Sequence, residues 1–315
     1  MAVDDVTMPP RRSASGAAAS LPPDLLLAAV TALAHGLARP AVARPDAEAD
    51  IAAIYLERIA RDLTAEEASI LESIAGTRER GLALCRAGQV HDGGSIIAQA
   101  RSVLTRANLS REAFVLSDSF LCASEGFAHY KSGRADAAIS SMRTAIDRCR
   151  ELRDAYGYPV EGRRIHLACS TERVRAEAAE HEESSIAVAQ LLNLMDTSDR
   201  RFWPYPDLEY ASEPDRLDDD VRWELVDQAL AVARRLDREA LGQVAAAFPA
   251  SPGGITQPLV TRTRCFLAAV RAHSLGDHET FLVRCAEFFP AGAQHLPRTF
   301  AYLANRLAAV RASAT

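Results

Sequence analysis

No stretch of the 315-residue sequence alternates apolar and polar residues with a period of two, so nothing in it asks for a β-strand. Lysine is nearly missing: Lys131 stands alone among 36 basic residues, the rest being arginine. A bias that global, beside abundant alanine, reads as the codon usage of a GC-rich bacterium rather than as arginine chosen for anion contacts. The six cysteines, Cys85, Cys122, Cys149, Cys169, Cys265 and Cys285, form no CxxC pair and share no zinc spacing with histidine. On their apolar helical faces they read as small core residues. Met1 to Ser20 lacks the apolar core of a secretory leader, so a cytoplasmic location with reduced thiols is expected. The apolar run from Leu25 to Leu37 falls short of the ~20 residues of a membrane helix, and no membrane partner is expected. A net charge of -6 argues against nucleic acid as the main partner.

Catalytic signatures are missing too. There is no HExxH, no GxSxG elbow, no GxxxxGK[ST] loop and no GxGxxG after a strand. Glu177, Glu180 and His181 have the wrong spacing for the Glu-x-x-His pairs of a di-iron bundle and read as a solvated acidic face. No metal, no cofactor and no catalytic residue is expected, and the chain leans away from being an enzyme.

What the sequence does have is helical periodicity. Residues 1–20, rich in Ala, Ser, Pro and Arg, read as a disordered tail, and 21–315 as a single helical domain. Helices are expected to begin at Pro22-Pro23-Asp24, where proline suits a first turn. Apolar residues then recur every three or four positions, as in Ile51, Ile54, Tyr55 and Ile59, or Ile96, Ile97, Val103 and Leu104. Gly36, Gly88, Gly133, Pro159, Pro249 and Gly276 punctuate about thirteen helices.

One pattern repeats. Gly81, Leu84, Gly88, Gly93, Ile97 and Ala100 share their offsets with Gly126, His129, Gly133, Ala138, Met142 and Ala145. Ala269, Ala272, Gly276, Phe281, Cys285 and Phe288 form a weaker third copy. Arg163 to Met195 is a possible fourth, in which Ala187, Leu191 and Leu194 suit a second helix but the glycines are missing. Small residues at the first and fourth positions let two helices approach closely, and the glycine between them supplies a turn that bulkier residues resist. Residues 296–312, with Phe300, Leu303, Leu307 and Val310, read as a capping helix. The segment around His129-Tyr130-Lys131-Ser132-Gly133-Arg134-Ala135 resembles the centre of a tetratricopeptide repeat. The glycines recur after 45 residues, against the ~34 usual for that family, so the resemblance is to its long-helix bacterial variants. It implies an all-α solenoid of antiparallel helix pairs, a right-handed superhelix, over about residues 64–290.

By that resemblance the first helix of each pair lines a concave face. Its ligand-binding candidates are Arg78, Leu82 and Arg86, then Phe120, Phe127, Tyr130 and Lys131, then Phe266 and His273, with Cys85, Ala123 and Val270 beside them. Aromatics mixed with positive charge suit a protein or peptide partner, and also a small anionic or aromatic ligand. Phe120 and Phe127 read equally well as core. The Lys/Asn clamp for a terminal carboxylate is missing. Arg164 and His166, near Tyr130 and Lys131, are an anion-site candidate or a plain surface cluster. His129 reads as a hydrogen-bonded packing residue.

Ser198 to Leu217 breaks the helical pattern and gathers Phe202, Trp203, Tyr205 and Tyr210 among prolines. Such loops serve as lids or interaction loops, or their aromatics pin a connector to the scaffold. With a second break at Phe248 to Pro258, the pair 218–247 is expected to pivot or to be an inserted unit. The functional expectation is a protein- or peptide-binding scaffold, and the alternative is a small-molecule sensor or enzyme that uses the helical cup as a pocket.

Overall fold

A computed structural model describes residues 21–39, 62–209, 217–249 and 257–313. Among them there are twelve α-helices and no strand. In chain order they are α1 (Pro23–Leu37), α2 (Ala65–Arg86), α3 (Val90–Arg106), α4 (Arg111–Lys131), α5 (Ala135–Tyr156) and α6 (Glu161–Glu177). There follow α7 (His181–Thr197), α8 (Asp219–Ala233), α9 (Arg238–Ala247), α10 (Gln257–Leu275), α11 (His278–Phe288) and α12 (Pro297–Ser313). Two 3-10 turns, Arg200–Phe202 and Pro206–Leu208, interrupt the aromatic segment, and a third, Phe289–Ala291, follows α11. The expected tail at 1–20, the periodic stretch around Ile51 to Ile59, and Tyr210 lie outside the described residues.

Local chemistry sets the helix starts. Pro23 occupies the first turn of α1, where its missing N–H is no loss. Thr64 and Glu67 form a reciprocal capping box on α2, with Glu67 N–H donating to Thr64 Oγ1 at 3.1 Å. The same Glu67 carboxylate accepts the Ser110 N–H at 2.8 Å and so ties the starts of α2 and α4 together. These donors hold its carboxyl down at about 2.

Four turns have one geometry. Gly88, Gly133, Ala179 and Gly276 all sit at φ between 65° and 85°. In each, the following N–H donates five residues back along the chain: Gln89 to Leu84 O, Arg134 to His129 O, Glu180 to Arg175 O and Asp277 to Ala272 O, at 2.9–3.0 Å. This closure satisfies the last carbonyls of one helix and aims the chain into the next. Three of the turns use glycine as the sequence suggests. The fourth, between α6 and α7, forces Ala179 into the left-handed region, which is why no glycine marks it.

The close approaches also match. A Cβ on Gly81 would meet Ile97 Cγ1 at 2.7 Å and Gly93 O at 2.9 Å. A Cβ on Gly126 would meet Met142 Cγ at 2.9 Å and Ala138 O at 3.2 Å. The partner residues stand at equal offsets in the two copies, so Gly81 and Gly126 occupy equivalent places.

The helices do not simply follow one another to an end. α1 packs on α11, on the Phe289 turn and on α12, at the opposite end of the chain from its sequence neighbour α2. Its Gly36 lies so close that a Cβ would stand 2.3 Å from Phe289 O and 3.0 Å from the Phe300 ring. α12 buries Phe300, Leu303, Leu307 and Val310 as expected of a cap, but it shares that task with α1.

α8 corrects another expectation. From Val221 to Ala233 every residue except Trp223 is buried, and the helix packs against α6, α7, α10 and α12. Asp227 reaches from it to accept the N–H groups of Arg298 and Thr299, each at 3.0 Å, which caps α12. A helix so enclosed does not pivot freely on its neighbours.

Neighbouring glycines on α3 should respond with opposite signs. Gly93→Ala drives its methyl to 2.6 Å from the Gly81 carbonyl and 2.5 Å from Cys85 Sγ, and should cost about 1–3 kcal/mol. Gly94 has nothing within 4 Å of its Cβ site, so Gly94→Ala should gain up to ~1 kcal/mol from helix propensity. Urea unfolding of both variants at unchanged m-value tests the pair; equal effects would contradict the close approach.

Candidate functional site

The first helices of successive pairs are joined by side chains. Phe120 on α4 lies between two guanidinium groups, Arg78 of α2 at 4.7 Å and Arg163 of α6 at 3.8 Å from its ring centre. Arg163 is buried and also donates to Ser119 O at 3.2 Å. Guanidinium stacked on an aromatic face keeps its hydrogen-bonding edges free, which suits a charge held between helices. Two to three turns further along α4, Phe127 and Tyr130 stand 6.4 Å apart, and the Lys131 ammonium lies 5.6 Å and 5.7 Å from the two rings. Phe120, Phe127 and Tyr130 are half-buried and Lys131 is exposed. Tyr130 Oη donates to Glu177 Oε2 at 2.7 Å, linking α4 to the end of α6.

A charged cluster supports this face from behind. Asp118, buried on α4, pairs with Arg101 of α3 and with Arg148 of α5 at 2.7 Å, while Arg101 also holds Glu125 at 2.8 Å. The two guanidinium groups keep the Asp118 carboxyl below its ordinary value despite burial.

Other candidates are placed differently. Leu82 packs inward toward α3 and α4, and Arg86 is exposed at the end of α2. Phe266 and Val270 are buried: the Phe266 ring packs against Phe288 and Tyr302, each centroid 6.2 Å away, so neither residue lines an open face. The reason is non-local, because α12 closes over α10 where the repeat alone leaves it bare. His273 is half-buried, edge-on to Phe281 at 5.2 Å. Arg164 does not join Tyr130 and Lys131. It is buried, bonded by both Nε and an Nη to Glu161 at 3.0 and 3.1 Å, and stacked 3.8 Å from Trp203. His166, half-buried, follows on α6.

The aromatic segment is docked rather than free. Trp203 and Tyr205 are buried, edge-to-face at 5.4 Å, and Phe202 is half-buried. Arg143 of α5 lies over the Tyr205 ring at 4.9 Å and pairs with Asp207 at 2.6 Å. Tyr205 Oη donates to Glu172 Oε1, and burial beside that carboxyl pushes the phenol well above its usual range.

Glu172 is the residue that sequence reading missed. It stands seven residues before Ala179, where the other copies carry Gly81, Gly126 and Ala269 before their own turn residues. Ser184, the counterpart of Gly93, abuts its backbone and donates to Glu172 O at 3.1 Å. The carboxyl is fully buried. Oε1 accepts from Tyr205 and from Arg175 at 3.2 Å, while Oε2 has no hydrogen-bond partner among the described residues. Desolvation outweighs both donors and raises its pKa to about 7. The missing small residue was itself the signal, once the turn at Ala179 fixed the register.

Among the described residues no group of three or more His, Cys, Asp or Glu side chains could hold a metal ion, and no helix is long and apolar enough to cross a membrane. All six cysteines are free and buried. The chain matches no protein-family model, no curated protein and no solved structure.

Since Glu172 ionises near 7 when folded and near 4.5 when unfolded, the folded protein binds more protons between those values. Stability is therefore full below pH 4.5 on this account and falls as pH rises through 7, by on the order of 3 kcal/mol. Glu172→Gln keeps an acceptor for Tyr205 and removes the charge. Thermal midpoints measured from pH 5 to 8 should decline for the wild type and stay flatter for the variant, which should be the more stable at pH 8. Parallel curves would refute the assignment.

Proposed function

We propose that this chain is a binding scaffold: a tetratricopeptide-like solenoid of antiparallel helix pairs whose first helices present a peptide-binding face. Supporting the architecture are the four like turns and the equivalent close approaches of Gly81 and Gly126. The observation that carries the functional reading is the row Arg78, Phe120, Phe127, Tyr130 and Lys131, in which three half-buried rings lie between Arg78, itself paired with Glu79, and the exposed Lys131. Such a surface suits an extended segment carrying apolar and acidic residues, whose carboxylates meet Lys131 and Arg78 while its side chains lie on the rings. The alternative of one closed cup is less favoured, because Arg164 and Tyr130 turn to different partners, Glu161 and Glu177. A cytoplasmic setting accords with six free thiols.

Selection of a random dodecapeptide library on the full chain tests this reading. Enriched peptides should combine aromatic or aliphatic residues with Asp or Glu. Phe127→Ala and Tyr130→Ala should each weaken their binding about tenfold while the protein stays folded. No enrichment, or peptides indifferent to both substitutions, would remove the proposal.

A further inference from the structure

A second cationic feature lies away from that row, where the ends of α6 and α8 meet α12. Arg234 and Arg235 close α8, Arg298 opens α12, and with Tyr302 and Asn305 they line a cleft of about 550 Å³. Arg173 of α6 stands within electrostatic reach of Arg234, Arg235 and Arg298. Three guanidinium groups thus line the cleft at the end of α8 and the start of α12, and that of Arg173, which does not line it, lies nearby on α6.

Three carboxylates face these four groups: Glu177, Glu224 and, at longer range, Asp227, whose oxygens already accept the N–H groups of Arg298 and Thr299. Glu177 holds Arg235 at 2.9 Å and Glu224 holds Arg298 at 2.9 Å. Glu177 is already shared with the Tyr130 hydroxyl. Arg173 and Arg234 have no ion pair among the described residues, and Arg173 Nε is buried without a hydrogen-bond partner. Arg234 rests only against the Tyr302 ring at 5.1 Å, and Arg306 lies 5.1 Å from the same ring. Desolvation and the neighbouring arginines press the affinity of Arg173 and Arg234 for their protons below normal. Like charges gathered out of water without partners are costly, and the cost is relieved when an anion enters.

We propose that this cleft is an oxyanion site that binds the dianionic phosphoryl group of a small phosphate ester. Guanidinium groups outnumber carboxylates here, and those of Arg173 and Arg234 make no ion pair among the described residues, so a ligand offering several anionic oxygens is favoured. Their forked donors match tetrahedral oxygens, which accept from several directions at once. The cleft exceeds the volume of one phosphoryl group, so the rest of the ligand extends along Tyr302 and Asn305. Glu177 joins the two sites, holding Arg235 here and the Tyr130 hydroxyl of the peptide face, but phosphate would be held by different side chains, so either reading can fail without the other.

Inorganic phosphate and pyrophosphate, titrated into the full chain at chloride-matched ionic strength, are the probes. Each should raise the thermal midpoint saturably by a few degrees. Arg173→Gln and Arg234→Gln should each weaken that response about tenfold and, by thinning like charge, unfold no lower than wild type in phosphate-free buffer. Arg264→Gln, which removes an equal charge from the exposed face of α10, should leave the response unchanged. A non-saturable response, one that survives both cleft substitutions, or one lost equally with Arg264→Gln marks general ionic screening and overturns the site. Succinate acting more strongly than phosphate overturns the phosphoryl assignment. A cleft variant that unfolds well below wild type without phosphate shows a structural arginine and overturns it also.

Discussion

The distance between paired helices is set where their backbones touch, and much else in the structure follows from it. At Gly81 and Gly93 a carbonyl of each helix occupies the space a side chain would need on the other. Once the axes are that close, the residue one turn beyond, Ile97 or Met142, fills the gap left at the approach. The left-handed turn between the helices keeps this register, because its hydrogen bond five residues back fixes how the second helix leaves the first. In α6 and α7 the turn is retained, with Ala179 in place of glycine, but the approach position holds Glu172. A carboxyl cannot be absorbed between two backbones. It projects into the core, where Tyr205 and Arg175 meet it. The aromatic segment therefore docks where it does because one pair departs from the small-residue rule, and its phenol satisfies the group that departure buries.

How much of this the sequence disclosed depends on the range of the interaction. The copies beginning at Gly81, Gly126 and Ala269 were legible because the approach and the turn both lie within about twenty residues of one another, and glycine names the turn. The α6–α7 pair was hard to read because the same backbone geometry is built there from Ala179 and Ser184, whose side chains disguise it. Phe266 was misread for a different reason. Its repeat position is open in an isolated pair, and it is closed here by α12, while α1 returns from the start of the chain to cover α11 beside it. Nothing local to α10 reports that return. The enclosure of α8 has the same origin: its breaks at either end looked like hinges, but four other helices surround what lies between them.

Arginine is so common in this chain that its presence carries little information; how each one is satisfied carries more. Arg163 spreads over Phe120 and donates to a carbonyl, and Arg164 spreads over Trp203 and grips Glu161. Arg222, also buried, bonds Asp219 and Leu217 O. Arg262 lies over Phe288 and donates to the carbonyls of Gly292 and Gln294. In each case a planar cation is buried only where a ring covers its face or oxygens meet its edge, the arrangement that offsets loss of water. Against that habit the group around Arg173 and Arg234 stands apart. There the arginines lie within one another's electrostatic reach, Glu177 and Glu224 hold Arg235 and Arg298, and Asp227 is taken up by the first N–H groups of α12. The deeply buried arginines each meet at least one oxygen of the chain itself, whereas the guanidinium groups of Arg173 and Arg234 meet no carboxylate among the described residues, and that difference is the ground for proposing an anion from outside the chain.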